Sequence, residues 1–291
     1  MDQRKILTVT LPLLLLCIFY LPAPTNPAGG KIGGIVASVL VPSAHAQGID
    51  FSGFNLVSVE DEINMGKELA PEVEREHPLY RDNQVQRYIR DLCSKLAKSA
   101  QNKAGIPLSA KVVKDDEVNA FTIPGGNIYV NSGLIRRLDS EAELAGVIAH
   151  EMGHAVNRDG TKQLTRMYGM SFLLSLVLGQ DAPQWQQIVG DLFSTAGLLA
   201  YGRGAEYEAD KAAVRISRAA GYDPNEYLKF LNKLRAMEES QPNLLTDLFS
   251  THPDTNSRIG IVQGEIAAMA PATKKLIVNT TSFKNIRKRV R

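Results

Sequence analysis

The stretch His150-Glu151-Met152-Gly153-His154 places two histidines four residues apart and follows the apolar run at residues 144–149. On an α-helix, side chains four residues apart lie one above the other, so both imidazoles face the same point. This spacing suits two of the four ligand positions around a tetrahedral Zn²⁺ ion. The sequence therefore predicts one zinc ion per chain, with His150 and His154 as ligands on a helix.

Glu151 directly follows the first of these histidines. One residue turns the helix by roughly 100°, so the carboxylate lies beside the metal without being forced onto it. A carboxylate in this position can take a proton from a water that the metal activates. We therefore predict Glu151 as the general base of a hydrolytic reaction.

The helix that carries these residues has recognisable ends. Ser140 and Glu143 match the S-x-x-E capping box at its start. Residues 157–160 predict its end, with Gly160 suited to the left-handed conformation that often closes a helix. An apolar face anchors this helix in the core and comprises Leu144, Val147 and Ile148.

A catalytic zinc site needs a third protein ligand and one open position. The best source lies downstream at residues 203–210, in a predicted helix that ends at Gly221. Glu206 and Asp210 are four residues apart and share a face of that helix, whereas Glu208 points nearly the opposite way. We predict Glu206 as the third ligand and Asp210 as the acceptor of the second N–H of His150.

Simpler interpretations of these motifs exist. A pair of helical histidines can be a surface feature, and acidic residues on a helix are usually just solvated. A purely structural zinc site is the third alternative, but such sites are closed and rich in cysteine. The two motifs together favour a hydrolytic zinc site.

These motifs together resemble the HtpX and CAAX prenyl protease type of zinc metallopeptidase. Two further stretches carry the same resemblance, N-A-F-T-I-P-G-G-N-I-Y-V at residues 119–130 and T-H-P-D-T-N-S-R at residues 251–258. The similarity runs from about residue 58 to residue 258. Within the family the chain most resembles the soluble envelope branch, which includes periplasmic and outer-membrane-associated proteases.

The helical patterns and the resemblance imply an α+β, mostly helical fold. We expect a zincin-like metallopeptidase domain with a small β-sheet at the edge of the active-site cleft. The resemblance implies a zinc metalloendopeptidase of the bacterial periplasm, associated with the inner or outer membrane. Its substrates would be unfolded or misassembled envelope proteins, as part of protein quality control. The alternative is a chaperone or assembly factor with a latent zinc site.

Residues 119–123 and 127–131 predict a β-hairpin about Pro124-Gly125-Gly126. A protease must hold its substrate extended, and an exposed edge strand does this through main-chain hydrogen bonds. We predict the substrate-binding edge at Asn119, Ala120 and Phe121, with residues 128–130 as the alternative edge.

His252 and Arg258 lie in the second stretch that carries the resemblance. In the family this segment faces the zinc cleft, which gives two hypotheses. Donors there could stabilise the oxyanion of the tetrahedral intermediate, a catalytic role. Alternatively, His252 occupies the open zinc position and keeps the enzyme latent.

Composition is consistent with a single enzyme-sized domain, which we place at residues 47–270. The chain has 291 residues, of which 44% are hydrophobic, enough for a sizeable core. The net charge of +2 gives no indication of nucleic-acid binding. Of the two cysteines, Cys17 lies in the N-terminal apolar stretch, so Cys93 has no disulfide partner within the domain.

Three segments flank or interrupt this domain. Residues 1–46 predict a signal peptide or an N-terminal anchor, and the A-x-A pattern at residues 44–46 favours cleavage. Residues 168–201 are an apolar insertion whose pieces are too short to span a bilayer, so we expect core packing, a hairpin over the cleft, a dimer surface or a membrane-contacting lid. Residues 271–291 form a basic tail that either contacts anionic lipid at the membrane surface or is solvated.

Overall fold

The computed structural model describes residues 54–167, 201–240, 245–252 and 254–290. The predicted signal peptide or anchor at residues 1–46, which includes Cys17, lies outside these ranges, as does the apolar insertion up to residue 200.

Helices dominate the described residues, and a small sheet lies among them. The first half of the chain contains α1 (Val59–Glu76), α2 (Asn83–Ala97), β1 (Ser109–Val113), β2 (Ala120–Ile123), β3 (Asn127–Asn131), α3 (Ser132–Arg137) and α4 (Glu141–Asn157). Residues 159–167 are also helical. The second half contains α5 (Arg203–Ala219), α6 (Pro224–Ser240), α7 (Thr246–Thr251), α8 (Thr255–Ala267) and α9 (Thr281–Arg289). The predicted α+β, mostly helical class is confirmed.

The three strands form one sheet in the order β1-β3-β2. β2 and β3 are the predicted antiparallel hairpin, and β1 pairs with β3 in parallel. Gly125 and Gly126 make the turn with φ values of 81° and 79°, a region that favours glycine. Since β3 is the central strand, the alternative substrate edge at residues 128–130 is wrong. An antiparallel bridge between Leu79 and Val113 covers the outer side of β1, which leaves β2 as the edge of the sheet.

α4 begins with the predicted capping box. The Ser140 hydroxyl accepts a hydrogen bond of 3.1 Å from the backbone N–H of Glu143. The Glu143 carboxylate in turn accepts one of 2.7 Å from the backbone N–H of Asp139. Reciprocal bonds of this kind satisfy N–H groups that have no partner within the helix.

The end of α4 differs from the prediction. Arg158, and not Gly160, takes the left-handed conformation, with φ of 58°. Gly160 lies within the helical residues that follow. The Arg158 side chain donates hydrogen bonds of 2.6 Å to Glu62 and to the carbonyl of Val57, and these contacts offset the cost of a left-handed non-glycine residue.

α4 runs through the centre of the core, with nearly all of its residues buried. Two glycines let neighbouring helices approach it closely. A Cβ on Gly153 would lie 2.8 Å from the Cα of Ala209 on α5, and a Cβ on Gly146 would lie 2.6 Å from the Cβ of Tyr227 on α6. Contacts this short exclude any side chain at the two glycines, so helix spacing depends on them.

The basic C-terminal segment is not a simple solvated terminus. It forms α9, whose residues Phe283 and Ile286 are buried against the main core. Arg289 forms an ion pair of 2.8 Å with Asp82 at the start of α2. No helix within the described ranges is long and apolar enough to cross a membrane.

Candidate metal centre

Two helices bring three donor groups to one buried point. On α4, the Nε2 atoms of His150 and His154 lie 3.1 Å apart. On α5, the Glu206 carboxylate lies 3.3 Å from Nε2 of His154 and 3.6 Å from Nε2 of His150. All three side chains are at least 97% buried, so these donors face one another and not solvent.

The separations between these donor atoms suit zinc. A tetrahedral Zn²⁺ ion with bonds of about 2.0–2.2 Å to nitrogen and oxygen has ligand atoms about 3.3–3.6 Å apart. The observed separations of 3.1, 3.3 and 3.6 Å fall close to that range. The donor set of two imidazoles and one carboxylate also matches zinc chemistry.

His252 provides a fourth donor at the same point. Its Nδ1 atom lies 3.4 Å from Nε2 of His150 and 3.1 Å from the Glu206 carboxylate. Ligand atoms of His150, His154, Glu206 and His252 all lie within 4.8 Å of one another. His252 follows the last residue of α7, so it comes from a part of the chain remote from the other donors.

Asp210 and Tyr227 orient the ring of His150. The Nδ1–H of His150 can donate to Asp210, whose carboxylate oxygen lies 3.0 Å away. The Tyr227 hydroxyl lies 3.1 Å from the same Nδ1 and donates a hydrogen bond of 2.7 Å to Asp210. Such partners fix which ring nitrogen is free to bind a metal.

Arg258 joins the two carboxylates of α5. Its guanidinium donates hydrogen bonds of 2.9 and 2.8 Å to Asp210 and lies 3.1 Å from Glu206. Burial by itself would raise the pKa values of both carboxyl groups, but His252 and then Arg258 lower the pKa of Glu206 below its usual value, and Arg258 does the same for Asp210. Arg258 therefore keeps Glu206 and Asp210 ionised in a buried site.

The two helical histidines have different electrostatic surroundings. Burial, together with the charge of Arg258, lowers the pKa of His150, so its ring is neutral. Burial also disfavours a charged His154, but Asp159 and Glu206 outweigh this effect and raise its pKa to about 10. The Nδ1–H of His154 donates to Asp159 at 2.9 Å, which leaves Nε2 directed at the other donors. A bound cation would displace the proton on that Nε2.

Glu151 lies next to the donor cluster without joining it. Its carboxylate accepts a hydrogen bond of 3.0 Å from the hydroxyl of Thr122 on β2. The other carboxylate oxygen lies 3.5 Å from Nε2 of His252. Thr122 therefore fixes the orientation of a buried carboxylate at the boundary between the sheet and the metal ligands.

The model of peptidase family M48 matches residues 81–266, which include every donor described above. The chain belongs to peptidase family M48. The predicted resemblance to zinc metallopeptidases of this kind is thereby confirmed.

Relatives of this M48 chain come from bacteria, archaea, plants and fungi. A β-barrel assembly-enhancing protease of Yersinia pestis is 28% identical over 88% of this chain and 53% of its own length. A mitochondrial metalloendopeptidase OMA1 of Arabidopsis thaliana is 34% identical over 57% of this chain and 33% of its own. A protease HtpX homolog of Methanopyrus kandleri is 28% identical over 65% of this chain and 70% of its own. The chain spans about half the length of the β-barrel assembly-enhancing proteases that it matches.

The edge strand of the M48 domain runs beside Glu151. The backbone N–H of Asn131 donates to the carbonyl of Asn119. In an antiparallel pair, the backbone N–H and C=O groups of every second residue of β2 therefore point towards β3, and those of the residues between them point away from it. By this register, the backbone groups of Ala120 and Thr122 point away from β3. The Tyr201 hydroxyl donates a bond of 3.4 Å to the Thr122 carbonyl.

The three predicted edge residues have different surroundings. Asn119 and Ala120 line a pocket together with His150 and Glu151. Phe121 does not line this pocket, because its ring stacks on Tyr129 of β3 with centroids 5.3 Å apart.

Four residues at the M48 site were missed in the sequence. Asp159, which accepts a hydrogen bond from His154, could have been found from the sequence. It lies directly after the histidine helix, in residues from which we predicted only the end of that helix. Tyr227, Thr122 and Tyr201 had none, because each is far in sequence from the residue that it contacts. Tyr201 stacks on the His154 ring with centroids 3.9 Å apart.

Proposed function

We propose that this M48 chain is a zinc-dependent endopeptidase of the bacterial envelope. The observation that carries the proposal is the buried triangle of His150, His154 and Glu206, with sides of 3.1–3.6 Å and Glu151 beside it. A buried cluster of imidazole and carboxylate groups that face one another is costly unless it has a bound partner such as a cation. The adjoining carboxylate has no purpose in a structural zinc site.

His150, His154 and Glu206 would hold the zinc ion. A zinc ion held there would polarise the scissile carbonyl and make an attacking water more acidic. Glu151 accepts the proton of that water and later delivers it to the leaving amine. Thr122 keeps the Glu151 carboxylate oriented for both transfers.

Arg258 acts as a positioning residue in this proposal. Oxyanion stabilisation needs a donor that is free to bind the developing charge. The Arg258 guanidinium instead bonds to Asp210, Glu206 and the Tyr227 hydroxyl. These contacts favour a role in holding the carboxylates over the predicted oxyanion role.

The proposed substrates are unfolded or misassembled envelope proteins. Several relatives carry the name β-barrel assembly-enhancing protease, which favours substrates that take part in the assembly of β-barrel proteins. The predicted targeting segment at residues 1–46 supports a periplasmic location. Association with the inner or outer membrane stays a prediction, as does protein quality control.

A second candidate function is that of a chaperone or assembly factor with a latent zinc site. The observation that favours it is the position of His252, whose Nδ1 lies 3.4 Å from Nε2 of His150 and 3.1 Å from the Glu206 carboxylate, within reach of the same ion. With His252 bound, no position would remain open for a substrate carbonyl or water. The chain could be both latent and a peptidase if His252 moves away from the other metal donors when a substrate binds.

The test combines metal analysis with hydrolysis of an unfolded protein such as casein. We expect one zinc per wild-type chain and zinc-dependent cleavage. Glu151→Gln should retain zinc and lose cleavage, whereas Glu206→Gln should lose both. Cleavage by Glu151→Gln at the wild-type rate would overturn the proposed mechanism. A Glu151→Gln variant that still supports envelope assembly in cells would favour the chaperone function.

A further inference from the structure

The segment that contains α9 carries positive charge that the functions above leave without a role. Residues 273–291 contain seven basic residues and no acidic residue. Arg287 forms an ion pair of 3.6 Å with Asp139, and Arg289 forms one of 2.8 Å with Asp82. Because a helix turns by roughly 100° per residue, the two arginines lie on different flanks of α9. These ion pairs therefore hold the helix from both sides.

Two lysines lie on the outer side of α9, away from the buried residues Phe283 and Ile286. Lys284 and Lys288 are four residues apart, so their side chains lie one above the other. Both lysines are exposed, and neither forms an ion pair with a residue that the structure describes. Their charges are therefore available to a partner outside the chain.

α9 runs antiparallel to α2, which extends the positive surface. The Tyr80 hydroxyl, just before α2, donates a hydrogen bond of 3.0 Å to the carbonyl of Arg289 at the end of α9. Further along both helices, the rings of Tyr88 and Phe283 lie 6.4 Å apart. α2 itself carries three basic residues and one acidic residue. We call the outer sides of α2 and α9 together the basic face.

An acidic helix lies on the other side of the sheet. α1 carries seven acidic and two basic residues. Its Leu69 packs in the cluster that contains Tyr129 of β3, whereas Ile89 of α2 packs in the core that contains the preceding residue, Ile128. Because successive residues of a strand point to opposite faces of a sheet, α1 and α2 lie on opposite faces. The domain is therefore negative on the α1 side and positive on the basic face.

The chemistry of the basic face favours a lipid surface over a protein partner. Protein interfaces are depleted in lysine, and aromatic and arginine side chains carry most of their binding energy. The exposed residues on the outer side of α9 are instead Thr281, Lys284, Asn285 and Lys288. Lysines near an anionic bilayer each add about fivefold to the affinity and need no shaped pocket. The proposed location in the envelope favours lipid over nucleic acid.

We propose that the basic face docks this chain on the surface of a bilayer that contains anionic phospholipids. The ammonium groups of Lys284 and Lys288 contact lipid phosphate groups, while the acidic α1 side is repelled and faces away. Binding of this kind is electrostatic and reversible, because the outer side of α9 presents no large apolar side chain. The inference gives the membrane contact predicted from the sequence a defined surface, and it does not depend on peptidase activity.

Docking through the basic face leaves the metal centre accessible. α2 lies beside β1, since the Gln86 side chain donates a hydrogen bond of 2.8 Å to the carbonyl of Val112. β2, which contacts Glu151 through Thr122, is at the other end of the strand order β1-β3-β2. Two strand spacings, or about 10 Å, separate β1 from β2. A docked chain should therefore hydrolyse casein at the rate of the free chain.

The test compares two kinds of vesicle. The full chain is mixed with vesicles of phosphatidylcholine alone or with about one quarter phosphatidylglycerol, and flotation gives the bound fraction. Insertion of the predicted N-terminal segment contributes to both affinities, so their ratio reports on charge. We expect a ratio on the order of 100 at low salt, falling towards one at about 1 M salt. Equal affinity for the two kinds of vesicle at low salt would overturn the proposal.

Paired substitutions identify which charges act. Lys284→Gln with Lys288→Gln should lower the affinity ratio about 25-fold, since each lysine contributes about fivefold. Lys67→Gln with Arg75→Gln removes the same charge from exposed positions on α1 and is the matched control. It should leave the ratio unchanged. Equal falls in the two variants would show that net charge and not the basic face is responsible, and would refute the proposal.

A fluorophore reports the contact surface directly. In a Cys17→Ser background, Asn285→Cys places an environment-sensitive dye between the two lysines, while the buried Cys93 stays unlabelled. Its emission should rise when vesicles with phosphatidylglycerol are added. The same dye at Asn64→Cys on α1 is the control and should not respond. A response at Asn64→Cys without one at Asn285→Cys would contradict the proposed orientation.

Two further measurements separate this proposal from its alternatives. Binding to soluble polyglutamate without binding to anionic vesicles would assign the basic face to an acidic protein and refute the lipid partner. Binding of zinc-loaded protein to anionic vesicles without any hydrolysis of casein would refute the peptidase function and leave the docking surface standing. Hydrolysis without selective vesicle binding would do the reverse.

Discussion

Gly153 on α4 and Ala209 on α5 lie so close that a Cβ on the glycine would be 2.8 Å from the Cα of the alanine. Gly153 lies between His150 and His154, and Ala209 lies between Glu206 and Asp210. The two helices therefore approach each other closely at the level of the metal donors. Helix spacing at this point sets the distances between the imidazoles and the carboxylate.

Gly153→Ala should push the helices apart and weaken the site. We expect a loss of about 1–3 kcal/mol in the free energy of unfolding from overpacking, and weaker zinc binding. Thermal unfolding and titration against a competing chelator measure the two effects. Gly264→Ala on α8 is the matched control, because no other element among the described residues lies within 4 Å of its Cβ position, and it should stabilise by about 0.5–1 kcal/mol. Wild-type zinc affinity in Gly153→Ala would contradict this view.

His252→Ala should raise peptidase activity, on the order of tenfold, because it removes the donor at the fourth ligand position. Initial rates on casein measure the change, with zinc content expected to remain at one ion per chain. His77→Ala is the control, since His77 lies away from the donor cluster and pairs with Asp115 at 3.4 Å. A fall in activity would support the oxyanion role of His252 instead, and no change would remove both roles.

Tyr227→Phe should lower zinc affinity 10–100-fold, the usual effect of losing a group that orients a ligand ring. The substitution removes the hydroxyl that contacts His150 and Asp210 and leaves the ring in the core. Chelator competition gives the affinity. Tyr207→Phe is a suitable comparison, because its hydroxyl bonds only weakly to Asp254, at 3.4 Å. Equal affinities for the two variants would show that the Tyr227 hydroxyl has no part in metal binding.

Asp159→Ala should also lower zinc affinity, in this case through His154. It removes the acceptor, 2.9 Å away, that orients the His154 ring. We expect a 10–100-fold lower zinc affinity, measured in the same way. Asp91→Ala, an exposed substitution on α2, is the control. A metal affinity that matches the control would mean that Glu206 and Tyr201 hold the His154 ring without Asp159.

Cys93 should report on global unfolding. Its thiol is 1% exposed, and burial raises its pKa to about 12, so it remains protonated and unreactive at pH 8. In a Cys17→Ser background, labelling by a disulfide reagent at pH 8 should begin only in denaturant, together with the loss of helical circular dichroism. Rapid labelling without denaturant would show that the α2 region opens locally.

The sequence alone determined which side chains share a helix face and where one helix and one hairpin begin, because these features depend only on neighbouring residues. His150 and His154 face one way because four residues make about one helical turn, and the same rule put Glu206 and Asp210 on one face of α5. The cap at Ser140 and the hairpin about Gly125 and Gly126 also follow from local backbone chemistry. The end of α4 did not, because Arg158 takes its left-handed conformation through contacts with Glu62 and Val57, about a hundred residues away.

Only the tertiary structure decided which residues complete the site. Tyr227, Thr122 and Tyr201 reach it from α6, β2 and the segment before α5, and no pattern in the chain links them to the histidines. The strand order decided that β2, and not β3, is the edge. Packing of α7 brought His252 within 3.4 Å of His150. The sequence by itself determined the metal-binding motif, because helix periodicity is a local property. The long-range contacts among helices and strands decided its surroundings, because they depend on how the whole core packs.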